Sequence, residues 1–218
     1  MGSPFDLAQT DHLLTTTRAV RKRLDLDRPV PRDLIVECIR IATQAPAGSN
    51  IQRWRWMIVD DPAKKAGIAE LYRRAYAPYI EMQRNAVAQV GRGDADRIME
   101  SSDYLASVLD RVPALLIPCQ FGRIDAAQPQ GEIAGYYGSI LPAVWNFMLA
   151  ARSRGLGTAW TTLHLRYEHE AAELLGIPHS VSQVALTPVA YYTGDDFKVA
   201  SRLPAEKVVY LNEWSNKL

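Results

Sequence analysis

The chain has 218 residues and a formal net charge of +1. Apolar residues make up 48% and charged residues 22% of it, which is typical of a folded domain and excludes intrinsic disorder. With so little net charge, no global field draws the protein toward nucleic acid or an anionic membrane, so any bound anion requires a local site. We expect a single domain over residues 1–218.

Several features predict a cytoplasmic protein. Cys38 and Cys119 lie far apart in apolar patterns, so both are predicted to be buried free thiols. The N-terminus has no basic-then-apolar signal peptide. The longest apolar stretch, residues 133–151, is interrupted by glycine, proline and asparagine, which favours a buried helix over a membrane span.

Hydrophobic periodicity predicts the elements and their order. The predicted helices cover residues 6–24, 32–44, 63–77, 132–154 and 168–175. The predicted strands cover residues 54–59, 114–121, 157–163 and 181–192, with a strand-like run at 207–211. Residues 78–110 are expected to be mostly helical and to cover a site. Long helices around a few dispersed strands predict an α+β fold with a mixed sheet.

A basic cluster lies in the run TTTRAVRKRLD. If this run is helical, Arg18 and Arg21 are three residues apart and share one face. Two guanidinium groups on one face can bind a phosphate or place positive charge against an electron-rich ring. The alternative is a solvated basic helix end, which the helix dipole favours.

A polar loop, APAGSNIQRWRW over residues 45–56, connects the second predicted helix to the first strand. Gly48 lets the backbone approach a flat ligand closely, while Asn50 and Gln52 carry donors and acceptors that suit the edge of a heterocycle. Binding groups concentrate in loops held between rigid elements. The alternative is an ordinary helix-to-strand connection.

A third candidate anion site lies near the C-terminus. Arg202 is followed two residues later by Pro204 in an apolar-leaning tail. This arginine can bind a phosphate or form a terminal ion pair, and Lys198 is a further cation of the same kind.

Other chemistries lack their sequence motifs. The chain has no HExxH zinc motif, no GxSxG elbow, no Walker loop and no GxGxxG fingerprint. His164, Glu168 and His169 have no further ligand with suitable spacing, so no metal is expected. The basic run TRAVRKR has no interleaved aromatic residues, so nucleic-acid binding is not expected.

Together, the three polar stretches resemble the FMN-dependent nitroreductase family. In that family an arginine-containing helix end, a loop of the type A-P-S-x-x-N-x-Q-P-W and a late basic residue before a proline converge on FMN. Residues 135–160 also resemble the family's long dimer-core helix and central strand, and the resemblance extends over about 14–214. The matching residues are Arg18, Arg21, Ala45, Pro46, Asn50, Gln52, Trp54, Arg202 and Pro204.

The resemblance implies specific contacts to FMN. Arg18 and Arg202 would hold the phosphate, with Lys198 assisting, and Arg21 would lie near the pyrimidine edge of the flavin. Backbone N–H groups after the third strand would face the flavin's reactive nitrogen. No catalytic side chain is assigned, because FMN itself carries the hydride chemistry. The predicted cofactor-binding set is Arg18, Ala19, Arg21, Pro46, Ala47, Gly48, Ser49, Asn50, Gln52, Thr161, Thr162, Leu163, Lys198 and Arg202.

The chain departs from the family pattern at three positions. Ala19 and Ala47 replace serines, and Arg53 stands where proline is common. The loss of two hydroxyl groups bears on individual cofactor contacts and leaves the natural substrate open.

The resemblance implies an FMN-dependent NAD(P)H oxidoreductase with a nitroreductase-like fold and a mainly antiparallel sheet. NAD(P)H would bind transiently, reduce FMN and leave before a nitroaromatic or quinone acceptor enters, in a ping-pong cycle. Alternatives on the same fold are flavin fragmentation, reductive dehalogenation or flavin sensing without turnover.

Family members are homodimers with FMN at the interface. The helices of residues 79–110 would cover the pocket. Tyr72, Tyr76 or Tyr104 would face substrate or, alternatively, serve in ordinary packing. An apolar helix is expected to bury the dimer contact or, alternatively, an intrachain core, and its hydrophobicity on every side does not separate the two. Its members are Ile140, Leu141, Val144, Trp145, Phe147 and Met148.

Overall fold

The structure, a computed structural model, describes residues 3–90 and 95–218. The segment Arg18–Gly194 forms one compact unit, and the two chain ends, up to Thr17 and from Asp195, form another. The α-helices are α1 (Leu7–Thr16), α2 (Arg32–Ala42), α3 (Pro62–Val90), α4 (Ala95–Val108), α5 (Gln130–Gly138), α6 (Leu141–Arg152) and α7 (Glu168–Leu175). The strands are β1 (Trp54–Val59), β2 (Ala114–Phe121), β3 (Leu156–Thr158), β4 (Val181–Gln183) and β5 (Thr187–Tyr191).

A single antiparallel sheet organises the larger unit. The strand order is β1-β2-β5-β3, and β4 also pairs with β2. The register of β1 on β2 runs from Trp54 opposite Gln120 to Val59 opposite Leu115. The predicted central position of the continuously apolar strand β2 is confirmed, because β2 pairs with β1, β4 and β5. The α+β class with a mainly antiparallel sheet is confirmed as well.

The predicted single strand over residues 181–192 is interrupted. Cys119 pairs with Gln183 and Leu116 with Thr187, so two residues of β2 oppose three residues of the other strand. This mismatch is a β-bulge. The carbonyl of Pro118 accepts a hydrogen bond from a backbone N–H at the bulge, at 2.9 Å. The N–H and C=O of one strand residue point to the same neighbouring strand. Pro118 has no N–H, so on the side of the bulge it can accept a hydrogen bond but cannot donate one.

The prediction of one helix over residues 6–24 is wrong beyond Thr16. Thr15, Thr16 and Thr17 each bond a backbone carbonyl four residues earlier through the hydroxyl, a contact that competes with regular helix, and Thr17 is extended. From Arg18 onward the backbone pairs with the sheet instead. The N–H of Val20 donates to the carbonyl of Thr158 at 2.8 Å, so sheet pairing overrides the helical pattern.

Two predicted helices that contain or adjoin a proline differ from the structure in opposite ways. The helix predicted over residues 132–154 is divided into α5 and α6, because Pro142 has no N–H and its ring clashes with a continuing preceding turn. The helix predicted over 63–77 continues through Pro78 as α3. Residues 91–94, part of the charged run between the two predicted helical pieces, lie outside the described residues.

Two helices and one strand agree closely with their predictions, whereas the third predicted strand and the tail do not. Helices α2 and α7 and strand β1 form as predicted. The third predicted strand is shorter, with only Leu156–Thr158 in a regular ladder. Residues 207–211 do not form a strand; a short turn, Ala205–Lys207, precedes an isolated bridge between Tyr210 and Lys217.

The core of the larger unit lies where α2 and α6 pack on the sheet. Its centre includes Phe147 and Met148 of α6, which are fully buried in this chain. Ile140 and Val144 are buried in an adjoining cluster, so the intrachain alternative holds for four of the six residues expected at a dimer contact. Trp145 is 39% exposed.

Two further expectations concern thiols and membrane spans. Cys38 and Cys119 are buried free thiols, as predicted. Burial raises the pKa of the Cys119 thiol to about 12, so this cysteine is protonated and unreactive at neutral pH. Across the part of the chain that the structure describes, no helix is long and apolar enough to cross a membrane.

Candidate functional site

The segment that follows Thr17 lies along the end of the sheet next to β3. Ala19 pairs with Thr158, while Val20 and Leu24 are buried. Arg18 is half-buried, and Nη1 of Arg21 lies 3.4 Å from the hydroxyl of Ser101 on α4. The shared helical face predicted for the two arginines is therefore wrong, since neither lies in a helix. Their roles toward FMN stay a prediction.

Gly157 of β3 permits the close approach of this segment. A Cβ atom at that position would lie 2.9 Å from Cγ1 of Val20 and 3.2 Å from Cδ2 of Leu24. Contacts near 2.9 Å cannot be accommodated without movement of the neighbour. The position of the arginine-bearing segment thus depends on the absence of a side chain at 157.

The predicted cofactor loop forms a tight turn over Gly48–Asn50. The N–H of Gly48 donates to the hydroxyl of Ser139 at 3.1 Å, which ties the loop to the junction of α5 and α6. Oδ1 of Asn50 accepts a long hydrogen bond, 3.4 Å, from Nε2 of Gln52. Pro46 is exposed and Ala47 half-buried, so the loop presents polar groups to solvent from a fixed base.

The turn contains two residues with left-handed backbone. Ser49 has φ 52° and Asn50 has φ 54°. Asparagine tolerates this conformation, whereas for serine it costs about 1 kcal/mol. Such strain persists only where the surroundings hold it, and it clusters at ligand-binding sites. The observation singles out this turn as a candidate functional feature of the loop.

Residues 161–163 follow β3 in the chain, after a short connection. Thr161 exchanges two backbone hydrogen bonds with Leu186, at 3.0 and 2.8 Å, which fixes its position. Leu163 begins the short helix Leu163–Tyr167, and the first N–H groups of a helix have no partner within it. The backbone here can therefore donate to a ligand, as the resemblance implies.

The loop and the segment before Thr161 share one support. Ala47 and Trp160 both pack against a buried cluster that includes Trp54 and Val144. The predicted cofactor loop and the segment that leads to residues 161–163 therefore rest in part on the same core.

Lys198 and Arg202 lie in the unit formed by the chain ends. Both side chains are exposed, and Nη1 of Arg202 donates to the carbonyl of Ser201 at 2.9 Å. Their predicted contact with the FMN phosphate stays a prediction.

The tyrosines expected to face substrate take different positions. Tyr72 and Tyr76 are buried and stack at 6.1 Å, so neither is available to a substrate. Burial and a hydrogen bond to Asp103 raise the pKa of Tyr76. Tyr104 is half-buried.

Sequence reasoning missed Tyr79, which is half-buried and lines a groove with residues of the 162–166 region. The spacing of residues 72, 76 and 79 places them on one helical face and could have indicated it.

A buried polar side chain directly follows residues 161–163 in the chain. His164 is fully buried, and burial lowers its pKa to about 4. Nearby, Glu168 accepts from the N–H of Gln183 at 3.0 Å and pairs with Arg123 at 2.5 Å. Within the described ranges 3–90 and 95–218, no group of three potential metal-ligating side chains is placed to hold an ion.

Comparison with known proteins defines the family. The model of the nitroreductase family matches residues 14–191, and the chain belongs to that family. Iodotyrosine deiodinase 1 of Rattus norvegicus is 28% identical over 183 residues, which are 82% of this chain and only 60% of the deiodinase. An NADH dehydrogenase of Thermus thermophilus is 25% identical over 214 residues, which are 90% of this chain and 96% of that relative.

A solved structure shows the same fold. Oxidized iodotyrosine deiodinase bound to FMN and 3-iodo-L-tyrosine matches with a TM-score of 0.65 and 22% identity. The match covers 88% of this chain and 94% of that chain. At this level of identity the likeness establishes the fold alone. The substrate of this chain has to be inferred from its own residues.

Proposed function

We propose that this protein is an FMN-dependent NAD(P)H oxidoreductase that reduces electron-poor acceptors such as nitroaromatics or quinones. The observation that carries the proposal is the groove in which Thr162 and Leu163 lie beside Tyr79 of α3. It joins residues predicted to meet the cofactor to a helix predicted to cover it. Its volume, about 440 Å³, falls within the range of small-molecule sites.

Features of the larger unit fit the binding of FMN. The helix that begins at Leu163 presents backbone donors, and the strained turn at Ser49 and Asn50 carries exposed polar side chains. Arg18 and Arg21 lie on the segment beside β3, and guanidinium groups suit a phosphate or an anionic ring. FMN, when bound, would accept a hydride from NAD(P)H and pass two electrons to the acceptor.

The chemistry asks little of the side chains beyond binding and orientation. For a nitroarene the balanced reaction is ArNO₂ + NAD(P)H + H⁺ → ArNO + NAD(P)⁺ + H₂O, and a quinone gives the hydroquinone with the same reductant. The NADH dehydrogenase among the relatives supports the nicotinamide reductant. Because the chain has no GxGxxG fingerprint, NAD(P)H would bind only transiently.

A second candidate function keeps the fold and the cofactor. The similarity to iodotyrosine deiodinase favours reductive dehalogenation, in which an aryl halide accepts two electrons and a proton and releases halide. Flavin fragmentation and flavin sensing without turnover are the further alternatives.

We also propose that two copies associate in the cytoplasm, with FMN between them. The exposed ring of Trp145 on the otherwise buried helix α6 supports a contact there, and the buried thiols of Cys38 and Cys119 suit a reducing compartment. Light scattering of the purified protein tests the dimer.

The experiment that tests the activity is oxidation of NADH and NADPH by the FMN-loaded protein. We expect reduction of the flavin by at least one nicotinamide, and reoxidation by 4-nitrobenzamide or a benzoquinone. Reoxidation only by 3-iodotyrosine, with release of iodide, would replace this proposal with dehalogenation. Bound flavin that neither nicotinamide reduces would contradict both and favour a sensing role.

A further inference from the structure

The groove beside Tyr79 combines an aromatic wall with a cationic end. Tyr79, Thr162, Leu163, Leu165 and Arg166 line it. The ring of Tyr79 is half-buried, while Thr162 and Arg166 are exposed. A flat ring can therefore lie against Tyr79 with a polar substituent toward the guanidinium group.

The ring of Tyr79 packs next to two buried tyrosines of the same helix. The ring of Tyr79 lies 6.4 Å from that of Tyr76, which stacks in turn on Tyr72. The hydroxyl of Tyr76 donates to Asp103 at 2.8 Å, and Asp103 also pairs with Arg84 at 3.0 Å. A ring braced in this way loses little freedom when a ligand packs against it.

Arg166 differs from the arginines around it. Arg74 pairs with Glu170 at 2.7 Å and Arg123 pairs with Glu168 at 2.5 Å, so the nearby carboxylates are already engaged. Within residues 3–90 and 95–218, the guanidinium group of Arg166 has no carboxylate partner. A ligand with an anionic group would supply the missing acceptor.

We propose that this groove binds the electron acceptor and that Arg166 selects aromatic acceptors that carry a carboxylate. The inference rests on the proposed reductase function. The carboxylate remains unchanged in the reaction; the nitro group takes up two electrons and two protons and loses one oxygen as water. Because Arg166 binds a group away from the reacting atoms, it lowers KM for the acceptor and leaves kcat nearly unchanged.

The test compares two acceptors of similar size, 4-nitrobenzoate and 4-nitrobenzamide, at low ionic strength. The ratio of their kcat/KM values is measured for wild type, Arg166→Gln and Arg166→Lys. The two acceptors differ in how easily they are reduced. This difference is the same for every variant, so it cancels when the ratios of the variants are compared. Arg40→Gln, which removes a charge from the exposed end of α2, is the matched control.

We expect Arg166→Gln to lower the benzoate-to-benzamide ratio about fivefold, mostly through KM, since an exposed charge pair is modest in strength. Arg166→Lys should retain most of the preference, and Arg40→Gln all of it. A ratio that is the same in Arg166→Gln and wild type would overturn the inference. Loss of bound FMN in Arg166→Gln would overturn it as well, because Arg166 would then serve the cofactor.

Failure of the proposed function is distinguishable from failure of this inference. If wild type reduces neither acceptor, the reductase function fails, and calorimetric titration of the FMN-loaded protein with 4-nitrobenzoate and 4-nitrobenzamide still tests the groove. Tighter binding of the benzoate that disappears in Arg166→Gln supports the site. Equal binding of both compounds overturns it.

Discussion

His164 shows, at the scale of single residues, how the fold changes a titratable group. The imidazole follows Leu163 directly and is fully buried, and neither ring nitrogen makes a hydrogen bond of normal geometry among the described residues. Burial lowers its pKa to about 4, against smaller opposing effects of Gln183 and Glu168. The side chain is therefore neutral at pH 7 and is packed in the interior directly after residues 161–163, whose backbone is predicted to face the flavin.

This burial predicts a pH dependence of stability. In the unfolded chain the pKa of His164 returns to about 6.5, so the unfolded state takes up the proton first as the pH falls. The contribution of the neutral, buried imidazole to the free energy of unfolding is fully present above about pH 6.5 and is lost toward about pH 4. The expected loss between pH 7 and pH 4.5 is about 2–3 kcal/mol. The His164→Leu protein should not show this loss of stability, although the loss that arises from protonation of carboxylates should be the same in both proteins. Urea unfolding of both proteins at the two pH values measures it, and equal losses would contradict it.

The sequence predicted residues best where a single property decided the outcome. The burial of Cys38 and Cys119 follows from the apolar runs around them. Tyr79 and Arg166 escaped prediction because their positions matter only once α3 and the short helix Leu163–Tyr167 meet at one groove. The spacing of Tyr79 from Tyr72 and Tyr76 indicates a shared helical face, but no pattern in either segment indicates that the two segments meet.

At the scale of elements, the segment from Arg18 to Leu24 connects fold to site. It carries two arginines of the predicted FMN site and is held by backbone pairing to Thr158 and by Val20 and Leu24 packed on Gly157. The same close packing that fixes the segment would fix the arginines. Local geometry and cofactor binding should therefore change together.

Gly157→Ala tests that connection. The added methyl group would meet Val20 at 2.9 Å and should lower the free energy of unfolding by about 1–3 kcal/mol. It should also weaken FMN binding severalfold, because the arginine-bearing segment must move. Gly131→Ala is the control, since no atom outside its chain neighbours and its own helix backbone lies within 4 Å of the added methyl group. Thermal unfolding and flavin fluorescence measure both effects; unchanged FMN affinity in a destabilised Gly157→Ala would separate the arginines from the cofactor.

Elements were predictable where local signals agree. Helix α7 has a regular apolar face and ends at Gly176, whose φ of 70° favours glycine. The helix over residues 6–24 was wrong because pairing with a distant strand outweighs local periodicity. The division of the long helix near Pro142 agrees with the chemistry of proline, but α3 continues through Pro78, so proline alone does not decide where a helix ends.

At the scale of the whole molecule, the residues predicted to bind FMN belong to two units. Within Arg18–Gly194, the turn at Gly48–Asn50 is tied to Ser139, and the arginine-bearing segment lies beside β3. Lys198 and Arg202 belong to the unit formed by the chain ends. With a net charge of +1, the protein must bind an anionic cofactor through such local groups. The central claim is that they bind FMN.

The visible absorption spectrum of the purified protein tests this claim most directly, followed by identification of what heating releases. We predict a flavin spectrum and FMN in the supernatant, or uptake of added FMN that Arg18→Ala and Arg21→Ala weaken. A colourless protein that does not take up FMN would contradict the account.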